Sequence, residues 1–491
     1  MSDLARIGGP VACVALAVLL IARGRRDRIA ALGFALFGTA LLVVSLAPAK
    51  ALELGLTIGG GLVLAPAVAW ALRREPWLVA FGTLGLLPIR IGLLGHQLLV
   101  PLYALAAGAA ALLLWELLRG DERSRELGVV AKPLGWFVAW TGASLAWSPD
   151  VHEGAIEILA FYVPFTILAL AIARLEWSRV RLRILYGELV AMALAFAAVG
   201  FYQYETRDVF QNPKVITGNA YAAFFRVNSI FWDPSVYGRF LVVALIPTVV
   251  LVVRGRSPRA ALAAAAGIVV LWFGLLISFS QSSFAALLVG VIGVAAVAWR
   301  WRSLVAVVAA AAVLAGIAAG EPRVRHALVH HTSSGLNSAT SGRASLVANG
   351  IRIAQAHPAI GVGVGGFKHA YAKRVDRRHV KGKEPKRAAS HDTPVTVAAE
   401  SGGIGLLLFA WLLVALGVQG TRRFDRGFGA RVALSAALAL AAIFVHSLFY
   451  NDFFEDPTTW GLFGVLALAA PRRLPAQEPP PAVENREPVV V

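Results

Sequence analysis

The sequence predicts an all-α polytopic membrane protein, and three observations carry that prediction. Of the 491 residues 58% are hydrophobic and 15% charged, whereas a soluble chain carries about 25% charged residues. Runs without a charge, at 56–72, 98–114 and 304–319, can satisfy their backbone polar groups in lipid only as helices. Finally, the connections between apolar segments alternate between arginine-rich and cation-poor, the pattern of a chain threaded back and forth through a bilayer. The net charge of +18 therefore reports membrane orientation, and a soluble enzyme or a nucleic-acid partner is excluded.

About fifteen apolar segments follow one another, at 7–22, 29–47, 51–72, 77–89, 98–118, 133–147, 154–174, 183–202, 237–253, 259–278, 283–299, 303–319, 401–418, 431–449 and 458–470. Several are short, so about 12–15 spanning helices are expected, with one or two re-entrant or interfacial. The first has only Arg6 ahead of it and no convincing cleavage site, and is read as a retained span. It contains the single Cys13, which excludes an intrachain disulfide and a cysteine-based metal site. Basic connections such as Arg23 to Arg28, Arg73-Arg74, Arg119 to Arg125, Arg174 to Arg183, Arg254 to Arg259 and Arg300 to Arg302 are assigned to the cytoplasm. The N-terminus is then outside and the C-terminus inside. The chain divides into N-terminal helices (1–202), an outer loop (203–236), central helices (237–319), a large outer loop (320–400), C-terminal helices (401–470) and a disordered cytoplasmic tail (471–491) rich in Pro and Glu.

Chemistry is expected in the two long outer loops. In the first, Arg226 stands among Tyr221, Phe224, Phe225, Phe231, Trp232 and Tyr237, followed by the turn signal Asp233-Pro234. Aromatic faces of this kind pack on sugar rings, and they also form membrane-interface belts beside a snorkelling Arg. In the second, 341–357 has helical periodicity. At about 100° per residue, Arg343 falls in the middle of a face made by Leu346, Val347, Gly350, Ile351, Ile353 and Ala354. A cation there, near a helix N-terminus, needs an anion: a carboxylate, or a ligand phosphate. The glycine-rich 361–366 has no strand before it and no GK[ST] after it, so it is not read as a nucleotide loop. His391 precedes the span at 401–418 and titrates near neutral pH, as a group taking a proton from a hydroxyl must; Glu400 lies at the bilayer edge, where a carboxylate needs a partner or water. His326, His330 and His331 have metal-ligand spacing without a nearby carboxylate. The acidic turn Asp452 to Asp456 is expected to meet the basic loop Lys368 to Arg387.

The runs FRVNSIFWDPSVYG (225–238), SFSQSS (278–283), SGRASL (341–346), HPAIGVGVGGF (357–367) and HDTPVTVAAESGGIGLLLF (391–409), with a weaker echo at Pro88-Ile89-Arg90, together resemble the O-antigen ligase and polysaccharide polymerase superfamily of bacterial inner-membrane glycosyltransferases. The resemblance covers somewhat under half of the chain. It implies a GT-C-like helical bundle with short helices in its large periplasmic loop, acting on a polyprenyl-pyrophosphate-linked glycan and a lipid or glycan acceptor without metal or cofactor. By the same resemblance Arg226 and Arg343 engage the pyrophosphate and His391 acts at the acceptor hydroxyl, while Arg90, Trp232, Asp233 and Glu400 are expected to line the substrate. Two departures stand out: Asp392 where the family often has Asn, and Ser283 where it often has Arg. Arginine suits the phosphate role because its fork binds two oxygens and stays protonated. The alternative is a transporter or flippase for an anionic or lipid-linked substrate, which usually carries ionisable groups near the midplane; here Glu53, Glu116, Glu157, Glu188 and Arg239 lie nearer span ends. A purely structural assembly subunit is the third reading.

Overall fold

The computed structural model describes residues 2–46, 64–93, 96–210, 212–221, 224–254, 257–299, 343–376, 390–421 and 427–470. The expected span 303–319, the first part of 51–72, His326, His330, His331, the basic run beyond 376 and the tail beyond 470 lie outside the described residues. In chain order come α1 (Ser2–Ile21), α2 (Arg25–Leu46), α3 (64–74), α4 (Leu78–Gly85), α5 (Val100–Leu118) and α6 (Ala131–Ser144). They are followed by α7 (Val151–Ala173), α8 (Arg179–Thr206), α9 (Pro213–Tyr221), α10 (Pro234–Arg254), α11 (Pro258–Ser278) and α12 (Gln281–Trp299). Last are α13 (Arg343–Ala356), α14 (Phe367–Asp376), α15 (Thr393–Thr421), α16 (Gly427–Ser447) and α17 (Pro457–Leu466).

Ten of these are long and apolar enough to cross a membrane, so the chain is an all-α polytopic membrane protein. The expected segment 77–89 yields only the 8 residues of α4, about 12 Å of helix against a hydrocarbon core of about 30 Å. A small antiparallel hairpin, β1 (Ile91–Leu93) with β2 (His96–Leu98), follows it in the register Ile91 opposite Leu98; periodicity gave no sign of it. Large apolar side chains on the outer surface, such as Leu262, Leu407 and Val414, suit contact with lipid tails. Inside, helices meet through small residues, as membrane helices do. A side chain on Gly38 of α2 would sit 2.5 Å from the Ala12 amide nitrogen of α1. Cys13 is fully buried against Gly142 of α6, which explains an inert thiol in the first span.

One end of the bundle gathers three of the basic connections. Arg174, the C-cap of α7, pairs with Glu116 at 2.6 Å and also with Asp121 and Glu126; Arg28 reaches Glu126 at 3.0 Å and Arg123 reaches Glu116 at 3.3 Å. Burial pushes the Asp121 carboxyl up, but Arg123 and Arg174 more than reverse this and lower it to about 2. Four more arginines lie on tryptophan faces: Arg74 on Trp70, Arg181 on Trp77, and Arg73 and Arg119 on Trp115. These contacts hold the guanidiniums at the rim of the helices.

Candidate active site

The middle of α7 faces a different environment. A π-helical turn at Ile158–Tyr162 interrupts α7, a distortion that often marks functional sites, and Phe161 within it borders a cavity of about 140 Å³. That is room for roughly five waters at about 30 Å³ each. Arg90, Trp232, Asp233, Arg239, Tyr450, Asp452, Glu455 and Asp456 line the cavity with Phe161 and Phe231. Three of the expected substrate-lining residues, Arg90, Trp232 and Asp233, are thus brought together.

The loop 224–233 is fixed before it reaches this cavity. Asn219 grips the Arg226 backbone on both sides (2.9 and 3.0 Å), and Gln203 does the same for Ser229 (2.8 Å each way). Ser229 is held at a φ of 52°, costly for a residue with a Cβ, and its hydroxyl donates to the Phe196 carbonyl at 2.8 Å. Asn212 donates to the Trp232 carbonyl at 2.7 Å. Asp233 then caps α10 by accepting from the Ser235 amide at 2.7 Å. Arg226 itself donates through Nε to the Ser278 carbonyl at 3.2 Å, at the C-terminal end of α11, where the helix dipole favours a cation. Arg226 is not among the residues lining the cavity.

The SFSQSS turn is a packing unit. Ser280 and Ser283 hydroxyls lie 2.8 Å apart, and Ser283 contacts the Ser235 carbonyl at 3.3 Å. A side chain on Gly238 would meet the Ser283 hydroxyl at 2.6 Å. The space is filled by α10, so this chain has no room for arginine at 283, and Arg226 supplies the guanidinium beside the turn.

Arg239 lies one turn into α10 and is 5% exposed. It pairs with Asp452, and its Nε lies 3.0 Å from Asp456; Asp456 also caps α17 through the Thr458 amide at 2.8 Å. Burial pushes the Asp452 carboxyl up, and Arg239 pulls it below the usual range. Asp452 and Asp456 of the acidic turn thus answer an arginine of α10, while most of the basic loop expected to meet the turn, 377–387, lies outside the described residues. The reason is desolvation: a guanidinium this deep needs carboxylates at contact distance. Asp452 Oδ1 lies 3.9 Å from Nδ1 of the fully buried His446. Glu455 is exposed and opens on the cavity, and the neighbouring protein together with Asp452 raises its carboxyl to about 8.

His391 stands at the entry of α15 with a φ of 57°, and its ring packs edge-on against Tyr450 with centroids 6.2 Å apart. Tyr450 lines the cavity, so His391 is one side chain removed from it. Asp392 caps α15 by accepting from the Val395 amide at 2.8 Å. Asn and Asp cap helices about equally well, which accounts for the Asp392 departure. Glu400 accepts from the Phe367 amide at 3.0 Å and so fastens the start of α14 to α15. Around it, the Val362 amide donates to the Ala399 carbonyl (2.9 Å), Gly363 to the Glu400 carbonyl (2.8 Å) and Val364 to the Ser144 hydroxyl (3.0 Å). These amides of the glycine-rich loop are taken by protein acceptors, so it is a clasp and not a phosphate cradle. Gly402, at a φ of 66° with the Ala359 carbonyl 2.3 Å from where its Cβ would lie, lets α15 kink beneath the clasp.

The backbone of Arg343 begins α13, and its side chain lies outside the described residues. Gly350 and Ile353 are buried and Leu346 packs inward, whereas Ile351 is exposed. The inward face is therefore centred about 50° from Arg343, which puts this residue nearer the edge than the middle. The cluster that sequence reading missed is Arg239, Tyr450, Asp452, Glu455 and Asp456. The available signal was a lone arginine in an apolar span, together with two acids four apart in an outer turn. Among the described residues no group of three His, Cys, Asp or Glu is arranged to hold a metal ion.

No curated protein matches the chain. Residues 266–410 match the family described as O-Antigen ligase, a segment that runs from α11 through the clasp into α15 and includes His391, Glu400 and Arg343. The matched segment covers less than a third of the chain, and over it the chain is similar to that family.

Proposed function

We propose that this protein moves a glycan from a polyprenyl-pyrophosphate carrier to an acceptor hydroxyl on the periplasmic side of the bacterial inner membrane. The observation that carries this reading is the family match over 266–410; the position of His391 against Tyr450 at the cavity wall supports it. Arg226 and Arg343 hold the pyrophosphate, assisted by Arg90. One ring nitrogen of His391 takes the acceptor proton as the acceptor oxygen bonds to the anomeric carbon. The bond from that carbon to the pyrophosphate breaks, and its electron pair leaves with the phosphate. Developing charge on the leaving group is the main demand, and fixed guanidiniums at a water-poor membrane edge meet it. Neither metal nor cofactor takes part.

The test is reconstitution of the full chain in lipid with a polyprenyl-pyrophosphate-linked oligosaccharide and a chelator. The expected product is a glycan on a new acceptor, or a lengthened carrier-bound chain; the two outcomes separate ligase from polymerase. Donor that stays intact with every acceptor, while wild-type protein is folded, overturns the proposal.

A further inference from the structure

We propose that a second cavity, at the arginine-rich end of the bundle, binds an anionic phospholipid, with one acyl chain inside and the phosphodiester at Arg181. The cavity is about 260 Å³ and lies where α3, α4, α5, α7 and α8 meet. Its lining divides by position in the chain. Leu72, Val79, Leu112, Leu113, Ile167 and Ala171 come from within the helices. Glu116, Arg123, Arg174, Glu176 and Arg181 come from helix ends and connections. The site thus has an apolar body and a charged mouth, the same division as a phospholipid. Water in the apolar part would lack hydrogen-bond partners, and leaving it empty is unfavourable, so an acyl chain is the occupant that suits it. Leu78 and Trp115, sequence neighbours of the lining residues Val79 and Glu116, are 44% and 41% exposed, which suits a mouth bordered by lipid.

Charge decides the class of lipid. Arg123 and Arg174 are already taken by Glu116 and Asp121. Arg181 is different: among the described residues it forms no ion pair, and its guanidinium lies over the Trp77 ring at 4.2 Å. A guanidinium stacked on a ring keeps its N–H edges for a phosphate. Arg179 and Arg183, both exposed, flank it at the start of α8, whose first turn holds no acid, and a helix N-terminus favours an anion. Against these three arginines the mouth sets only Glu176 that is not already paired. A headgroup with net negative charge is therefore preferred over a zwitterionic one. This site is independent of the transfer reaction and lies on the side that the arginine-rich connections face.

The experiment uses the full chain, stripped of lipid in a neutral detergent and titrated with dioleoyl phosphatidylglycerol or dioleoyl phosphatidylethanolamine, with retained lipid counted by native mass spectrometry. Phosphatidylglycerol is expected to be held about fivefold more tightly or better, and Arg181→Gln to bring the two lipids within about twofold. Arg259→Gln, at an exposed arginine of another basic connection, should leave the preference unchanged. Ala171→Phe, which fills the chain slot, should weaken both lipids, and excess inorganic phosphate should displace neither. Equal retention of the two lipids by the wild type, a preference unmoved by Arg181→Gln or lost equally in Arg259→Gln, or displacement by inorganic phosphate overturns the site. If Ala171→Phe does not fold, the two arginine variants still decide the matter.

Discussion

The C-terminal end of α7 and the π-turn at its middle solve the same electrostatic problem in opposite ways. At the Arg174 end three guanidiniums meet three carboxylates, and four further arginines lie on tryptophans. At Phe161 carboxyls outnumber guanidiniums, and both His391 and Ser229 are held at positive φ. The closed ion network borders a cavity of about 260 Å³ lined by Glu116, Arg123 and Arg174 and stabilises the bundle. An incomplete one, with backbone strain beside it, is what a reacting site requires.

Substitutions in the two regions should separate these roles. The largest effect is expected at the chemistry: His391→Ala should lower transfer by about 10²–10⁴-fold with an unchanged melting temperature, measured in the reconstituted assay. Next, Arg239→Ala should cost about 3–5 kcal/mol of stability by stranding two buried carboxylates, and should also abolish transfer per folded molecule. Arg174→Ala should destabilise by about 3 kcal/mol while transfer per folded molecule is retained; equal loss of activity in both variants would break the comparison.

The two regions should also diverge with pH. Glu455 has a folded value of about 8 against 4.5, so its favourable contribution is complete below 4.5 and is lost as pH rises through 8. Wild type should therefore lose stability from pH 5 to 9 relative to Glu455→Gln. Asp121, lowered from 3.8 to about 2, contributes above 3.8 and loses that contribution as pH falls toward 2, an acid-side weakening that Asp121→Asn should remove. The smallest effect is expected for Asp392→Asn, under about 0.5 kcal/mol, because either residue caps α15.

The helical architecture was legible because lipid leaves an apolar segment little choice of structure, and of the 12–15 spans expected from hydropathy ten appear among the described residues. Asp233 as a turn and Trp232 as a wall were legible from local chemistry. Arg239 was not, since its partners lie 213 and 217 positions away and no periodicity encodes them. Glu400 was recognised as needing a partner, but that partner is the amide of Phe367 at the start of α14. The same limit applied to the helix at 343–356, whose inward face depends on where α15 lies and not on its own apolar stripe.

The π-turn at Ile158–Tyr162 also sets the phase of α7. Phe161 and Arg174 are about 20 Å apart along the axis, and the extra residue between them rotates the upper segment relative to the lower by about 100°. Each half thus faces its own neighbours: Tyr162 packs on Phe454 and Trp460, while Arg174 reaches its acids. Removing a single residue from this turn would restore a regular helix and yet put one half or the other out of alignment. The molecule can therefore drift in sequence along this span more readily than it can change in length.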